Sequence, residues 1–190
     1  FLLCVRSLVR YLFGFFFLLL VLVGYSRPEL SVCFTPKQDC TRRIVNLIRS
    51  AKSSVYVQAY SFTSRDIANA LIAAKRRGVS VELIADKSQF QCQNFSSVRV
   101  LLQKGVPVWA DVQPVVAHNK VIIVDKKIVE TGSFNYTYSA EHRNAENVLI
   151  VSNEALAKLY LKNWDERKQV SLSVARVGCA QRVRDRDQIK

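Results

Sequence analysis

The stretch AHNKVIIVDKKIVETGSFN, residues 117–135, decides how the chain is read. Its first half is rich in β-branched residues and ends at the turn signal Asp125-Lys126-Lys127, so residues 117–125 read as a strand. Alternation along a strand puts His118 and Lys120 on one face, about 7 Å apart. Below that tip both faces, Ile122/Val124 and Val121/Ile123, are apolar, as in a central strand. A second short strand, 128–131, runs into Gly132-Ser133-Phe134-Asn135. Glycine there permits close approach of the backbone to a ligand, and Ser133 and Asn135 add hydrogen-bonding groups. An imidazole, an ammonium and an amide converging at strand ends suit an anionic ester: one group attacks, two hold the charge.

Outward from this stretch, strands alternate with helices. A short strand at 32–34 precedes Asp39, which can cap a helix over 40–51 with Ile44, Leu47 and Ile48 at helical spacing. Residues 54–62 alternate as a strand. Ser64 then caps a helix with Ile67, Ala70, Leu71 and Ala74 on its apolar face, and Gly78 stops it. Lys75, Arg76 and Arg77 in its last turn complement the helix dipole. A buried strand at 79–85 ends in the polar segment 87–94, where open α/β sheets bind ligands. Phe90 within it and Phe95 just after it either stack on bases or anchor the loop.

A third helix at 97–104 and a strand at 106–109 lead through a proline-containing crossing to the motif strand. A polar loop follows Asn135, then a last strand at 147–151. Asn153 caps a final helix, 154–167, with Leu156, Leu159, Tyr160 and Trp164 turned inward. The class is α/β: a mixed, mainly parallel sheet flanked by helices on both faces.

Residues 27–168 read as one domain, and 169–190 as a basic C-terminal tail. Residues 1–26 differ in kind: Arg6 and Arg10 precede a charge-free apolar run, either a cleaved signal peptide or an N-terminal membrane anchor. Positive charge ahead of that run predicts export of the domain, so a periplasmic location and inner-membrane association are expected. The chain opens on Phe and contains no Met, which leaves its true start open. The net charge is +13, and Arg6 and Arg10 carry the only charges of the first 26 residues, so the remainder keeps +11. That excess favours a polyanion, nucleic acid or an anionic membrane. Cys33 and Cys40 bracket a short turn and can close a disulfide in an oxidising compartment; Cys92 with Cys179 is the pairing left over. With no CxxC pair and only His118 and His142 as histidines, no metal site is expected.

The spacing H-x-K-x4-D-x6-G-S-x-N, met by His118, Lys120, Asp125, Gly132, Ser133 and Asn135, resembles the HKD motif of the phospholipase D superfamily. The order of elements over 32–164 is similar to small bacterial endonucleases with one HKD copy, and to their mitochondrial relatives. The resemblance implies a phospholipase D-like α/β/α fold and a phosphodiesterase needing neither metal nor cofactor. It implies non-specific cleavage of DNA or RNA, single strands favoured, through a phosphohistidine on His118. Lys120 and Asn135 would hold the non-bridging oxygens beside Gly132, and Ser133 would support the phosphate or the imidazole.

An acceptor must orient His118; the residues alone leave Glu141 and Glu146 open, and the resemblance favours Glu146. Asp125, past the reacting face, is expected to make a structural contact. His142 reads as a surface residue, so the proton donor must come from a second copy of His118, which predicts a homodimer. Two other readings are hydrolysis of an anionic phospholipid and a non-catalytic nucleic-acid-binding component of the envelope.

Overall fold

Runs of β-branched residues, most of them separated by helices, build a single sheet. The computed structural model describes residues 29–91 and 96–174. The segment 1–26, Cys92, Phe95, Cys179 and the tail beyond 174 therefore lie outside the described residues. The strands are β1 (Glu29–Phe34), β2 (Ser54–Ala59), β3 (Ser80–Asp86), β4 (Val108–Asp111), β5 (Lys120–Val124), β6 (Ile128–Gly132), β7 (Asn147–Ser152) and β8 (Leu172–Ser173). The helices are α1 (Cys40–Ser50), α2 (Arg65–Arg76), α3 (Val98–Gln103), α4 (Tyr138–His142) and α5 (Glu154–Gln169). Caps start three of them as the sequence suggests: Asp39 accepts from the Arg42 amide at 2.9 Å, Ser64 from Ile67 at 3.3 Å and Asn153 from Leu156 at 2.9 Å.

The strand order is β1-β7-β6-β5-β2-β3-β4-β8. The sheet is mixed, but not mainly parallel. Only β2–β3 and β3–β4 run parallel; β1–β7, β7–β6, β6–β5, β5–β2 and β4–β8 are antiparallel. Connection length explains the difference. A parallel return needs a crossover of about a dozen residues, usually helical, and the stretch 112–119 is short and helix-free. β5 therefore enters antiparallel to β2. β6 follows through a tight hairpin in which Asp125 and Lys126 both take positive φ, 52° and 58°.

Helices α1, α2 and α3 cover one face, burying Ile44, Ile48, Ile67, Leu71 and Leu101 against Val55, Val57 and Leu83. Helix α5 covers the other, where Trp164 packs on Tyr56 and Trp109 and donates to the Val57 carbonyl at 3.1 Å. Leu159, expected inward, is 66% exposed. It lies two residues beyond the buried Ala157, about 200° round the helix, on the solvent side. Cys33 and Cys40 are joined in a disulfide, tying β1 to the start of α1.

Asp125 stitches the hairpin to the loop ahead of β2. Its carboxylate accepts from the amides of Lys52, Ser53 and Ser54 and from the Ser53 hydroxyl, the shortest contact being 2.7 Å. Burial works against the charge, but these donors outweigh it and hold the carboxyl below its ordinary range. Asp125→Ala is expected to lower the unfolding free energy at pH 7 by about 1.5–3 kcal/mol. Because the folded pKa is depressed, that contribution is present above the usual carboxylate range and disappears as pH falls through the folded value. Denaturant unfolding at pH 7 and pH 2 checks both.

Candidate active site

Register brings four chain segments to one end of the sheet. Lys120 lies opposite Ala59, Val121 opposite Thr131, and Gly132 opposite Val148. The ends of β2 and β6 thus meet the starts of β5 and β7. Tyr60 continues β2, His118 precedes β5, Ser133 to Asn135 continue β6, and Glu146 precedes β7. This is also the carboxyl end of the parallel strands, where α/β sheets offer their ligand crevice.

His118 is exposed and sits two residues ahead of β5, so the strand is shorter than its β-branched run suggested. The buried carboxylate of Asp86, at the end of β3, holds that approach by accepting from the Ala117 amide at 2.8 Å. Lys87 donates to the Pro114 carbonyl at 3.2 Å. The sequence reading passed over Asp86; an acid at a strand end just ahead of a polar loop was the available signal.

The Lys120 ammonium lies 2.9 Å from His118 Nδ1 and donates to the His118 carbonyl at 2.7 Å. The Tyr60 ring stands 4.5 Å from the imidazole, and the ammonium lies 5.3 Å from the tyrosine centroid. Lys120 is buried, and burial pushes its pKa down; the charge of Glu146 opposes that shift without cancelling it.

Ser133, Asn144, Glu146 and Asn147 form the adjoining wall. Ser133 Oγ donates to Glu146 Oε2 at 2.6 Å, and Asn144 donates to Glu146 Oε1 at 2.9 Å. Ser133 Oγ in turn accepts from the backbone amide of Asn147 at 3.1 Å and from its side chain at 3.3 Å. Both oxygens of Glu146 are therefore engaged, and it makes no hydrogen bond to His118. β6 stands between β7 and the histidine, so Glu146 reaches the β5 side through its field on Lys120. Glu141, the other candidate, is buried at the start of α1, where it accepts from the amides of Cys40 and Thr41 and from the Thr41 hydroxyl. It serves the helix terminus and does not orient His118. His142 is exposed.

At Gly132 the close approach is to the neighbouring strand, not to a ligand: an added Cβ would collide with the Asn147 carbonyl oxygen. Asn135 Oδ1 is buried without a hydrogen-bond partner. That orphan oxygen is an acceptor with room for a donor. Beneath the turn, fully buried Glu130 accepts from the Tyr136 hydroxyl at 2.8 Å. Burial pushes the Glu130 carboxyl up to about 8, against the smaller opposing effect of that hydrogen bond.

The family model described as "Cardiolipin synthase, PLD-like domain" matches residues 44–168. A phospholipase D of Rickettsia prowazekii (strain Madrid E) is 48% identical over 149 residues, 78% of this chain and 72% of that protein. The mitochondrial cardiolipin hydrolase of Homo sapiens is 30% identical over 139 residues, 73% of this chain and 55% of that protein. The crystal structure of Nuc from Salmonella typhimurium, a phospholipase D family member, matches with a TM-score of 0.73 at 36% identity, covering 78% of this chain and 99% of Nuc.

Glu130 gives the site end of the sheet a pH dependence of known sign. A carboxyl that ionises at 4.5 when exposed and at about 8 when folded favours the folded state most below pH 4.5, and that contribution is lost as pH rises through 8. Glu130→Gln, neutral throughout, is expected to flatten this fall, by an amount on the order of a few kcal/mol between pH 5 and 8.5. Urea unfolding of both proteins across that range measures it.

Proposed function

The chain belongs to the phospholipase D superfamily, hydrolases of phosphodiester bonds, and we propose that this member is a metal-independent nuclease that cuts DNA or RNA through a phosphohistidine on His118. The observation that carries the reading is an exposed imidazole beside a buried ammonium, on a chain that keeps a net charge of +11 once the first 26 residues are set aside. A polyanion is drawn to such a surface, and an ester phosphorus can approach an exposed ring.

In this reading the contact between Lys120 and His118 is the resting arrangement. Substrate phosphate draws the ammonium onto a non-bridging oxygen and frees the imidazole. His118 Nε2 attacks phosphorus, the P–O bond to the leaving alkoxide breaks, and the alkoxide takes a proton from His118 of the partner subunit. Water then attacks the phosphohistidine and gives its proton to that now neutral imidazole as the P–N bond breaks. Lys120 and Asn135 of both copies stabilise the charge that develops on phosphorus oxygens. The burial of Lys120 beside His118 supports its part in this, and the Asn135 assignment rests on the motif spacing. Ser133 and Glu146 act as a pair at the rim, with Glu146 keeping a counter-charge near Lys120. A homodimer follows from the chemistry: His142 is exposed and tied to Tyr138, so one chain lacks a second acid at the phosphate.

We assign the nuclease domain to 27–168, with 1–26 as signal or inner-membrane anchor, 169–190 as a basic C-terminal segment whose first residues still join the sheet through β8, and the domain in the periplasm. The Cys33–Cys40 disulfide supports an oxidising compartment. No helix among the described residues is long and apolar enough to cross a membrane. A second reading, hydrolysis of an anionic phospholipid, is favoured by the name of the Rickettsia relative.

The purified protein, incubated in excess EDTA, is expected to cleave single-stranded DNA or RNA and to leave phospholipid vesicles intact. His118→Asn should lose all turnover. Lipid release without nucleic-acid cleavage selects the second reading. The two imidazoles must be in opposite protonation states at attack, so the pH–rate profile is expected to be bell-shaped; a monotonic profile between pH 4 and 9 removes the paired-histidine mechanism.

A further inference from the structure

A groove of about 710 Å³ opens beside the site, at the starts of α1, α2 and α4. Two adjacent chain segments run from the site end of the sheet into the groove wall. Phe62 and Tyr136 form a parallel bridge, and the Tyr136 carbonyl accepts from the amides of Thr63 and Ser64, both at 2.9 Å. Tyr60 and Asn135 thus stand at the scissile end, while Thr63 and Thr137, a few residues further on, line the groove.

The groove wall carries an aromatic surface that the fold does not use. Tyr138, the first residue of α4, is 62% exposed. Its ring centroid lies 4.3 Å from that of His142, and the Arg143 guanidinium lies 5.6 Å from it. Lys37 and Arg65 also line the groove, are exposed, and make no ion pair among the described residues. Of the acids around it, Glu141 is engaged by the start of α1, and Asp39 caps α1 and pairs with Arg42 at 3.2 Å. Asp66 is the third acid of the lining and makes no ion pair among the described residues.

We propose that this groove is a subsite for a nucleotide flanking the scissile phosphate, with an unpaired base stacking on Tyr138. His142 and Arg143 back the ring, and Lys37 and Arg65 take the neighbouring phosphates. The inference rests on the nuclease reading and deepens it. Every base has a π-face, so such a platform selects single strands without selecting sequence. A duplex keeps its bases stacked internally and gains nothing from the ring.

The test compares two substrates on the whole dimeric protein: a single-stranded thymidine 12-mer, and bis(p-nitrophenyl) phosphate, a diester too small to reach from the histidine into the groove. The readout is the ratio of kcat/KM on the oligonucleotide to that on the small diester. Tyr138→Ala is expected to lower this ratio about ten-fold, the size of one lost base stack, and Tyr138→Trp to retain it. Equal losses on both substrates, or an unchanged ratio, overturn the subsite while leaving the nuclease reading standing. Wild-type protein that hydrolyses the small diester but no nucleic acid overturns the nuclease reading and the subsite with it.

Discussion

The contact between β6 and β7 at Gly132 is the constraint on which the site rests. With no side chain at that position, the Asn147 carbonyl can lie against the strand end and accept from the Ser133 amide at 3.2 Å. The Ser133 hydroxyl then falls between Asn147 and Glu146, and the carboxylate is fixed within electrostatic reach of Lys120. Burial disfavours the charged form of that ammonium, and the carboxylate offsets part of the effect. Backbone spacing between two strands thereby places a counter-charge within reach of a group on a third.

The two ends of β5 are held by different acids doing comparable work. Asp86 fixes the approach to the strand, receiving the Ala117 amide just ahead of His118. Asp125 fixes its exit, receiving three amides from the loop before β2. Between them the strand is wholly buried and apolar below Lys120, and packing on both faces fixes its position along the sheet. His118, exposed just ahead of that strand, is carried on a backbone that the Ala117 amide ties to Asp86.

Much of this was legible in the sequence. The caps at Asp39, Ser64 and Asn153 and the apolar faces of the first two long helices follow from local chemistry, and so does the hairpin turn at Asp125 and Lys126. What was not legible depends on which strands become neighbours. Periodicity identifies a strand but not its direction, so the antiparallel bias of the sheet was hidden; the short, helix-free stretch 112–119 was its one local sign. Leu159 has the right residue type for a helix core but falls off the stripe that Ala157 and Trp164 define. Glu146 and Glu141 are equally polar loop acids until tertiary contacts send one to the site wall and the other to a helix terminus.

The six-residue signature divides by purpose once its members are located. Asp125 closes a turn at the far end of β5 and Gly132 makes room for a neighbouring backbone, so both answer to architecture. His118 is exposed and bonded only within its own corner, so its loss would disturb little else. Exchanging that one imidazole would leave a stable shell that keeps the Lys120 ammonium and the Asn135 amide. With the nucleophile proposed above, this scaffold would stand a single replacement away from a docking protein, and the step from catalyst to adaptor would need no refolding.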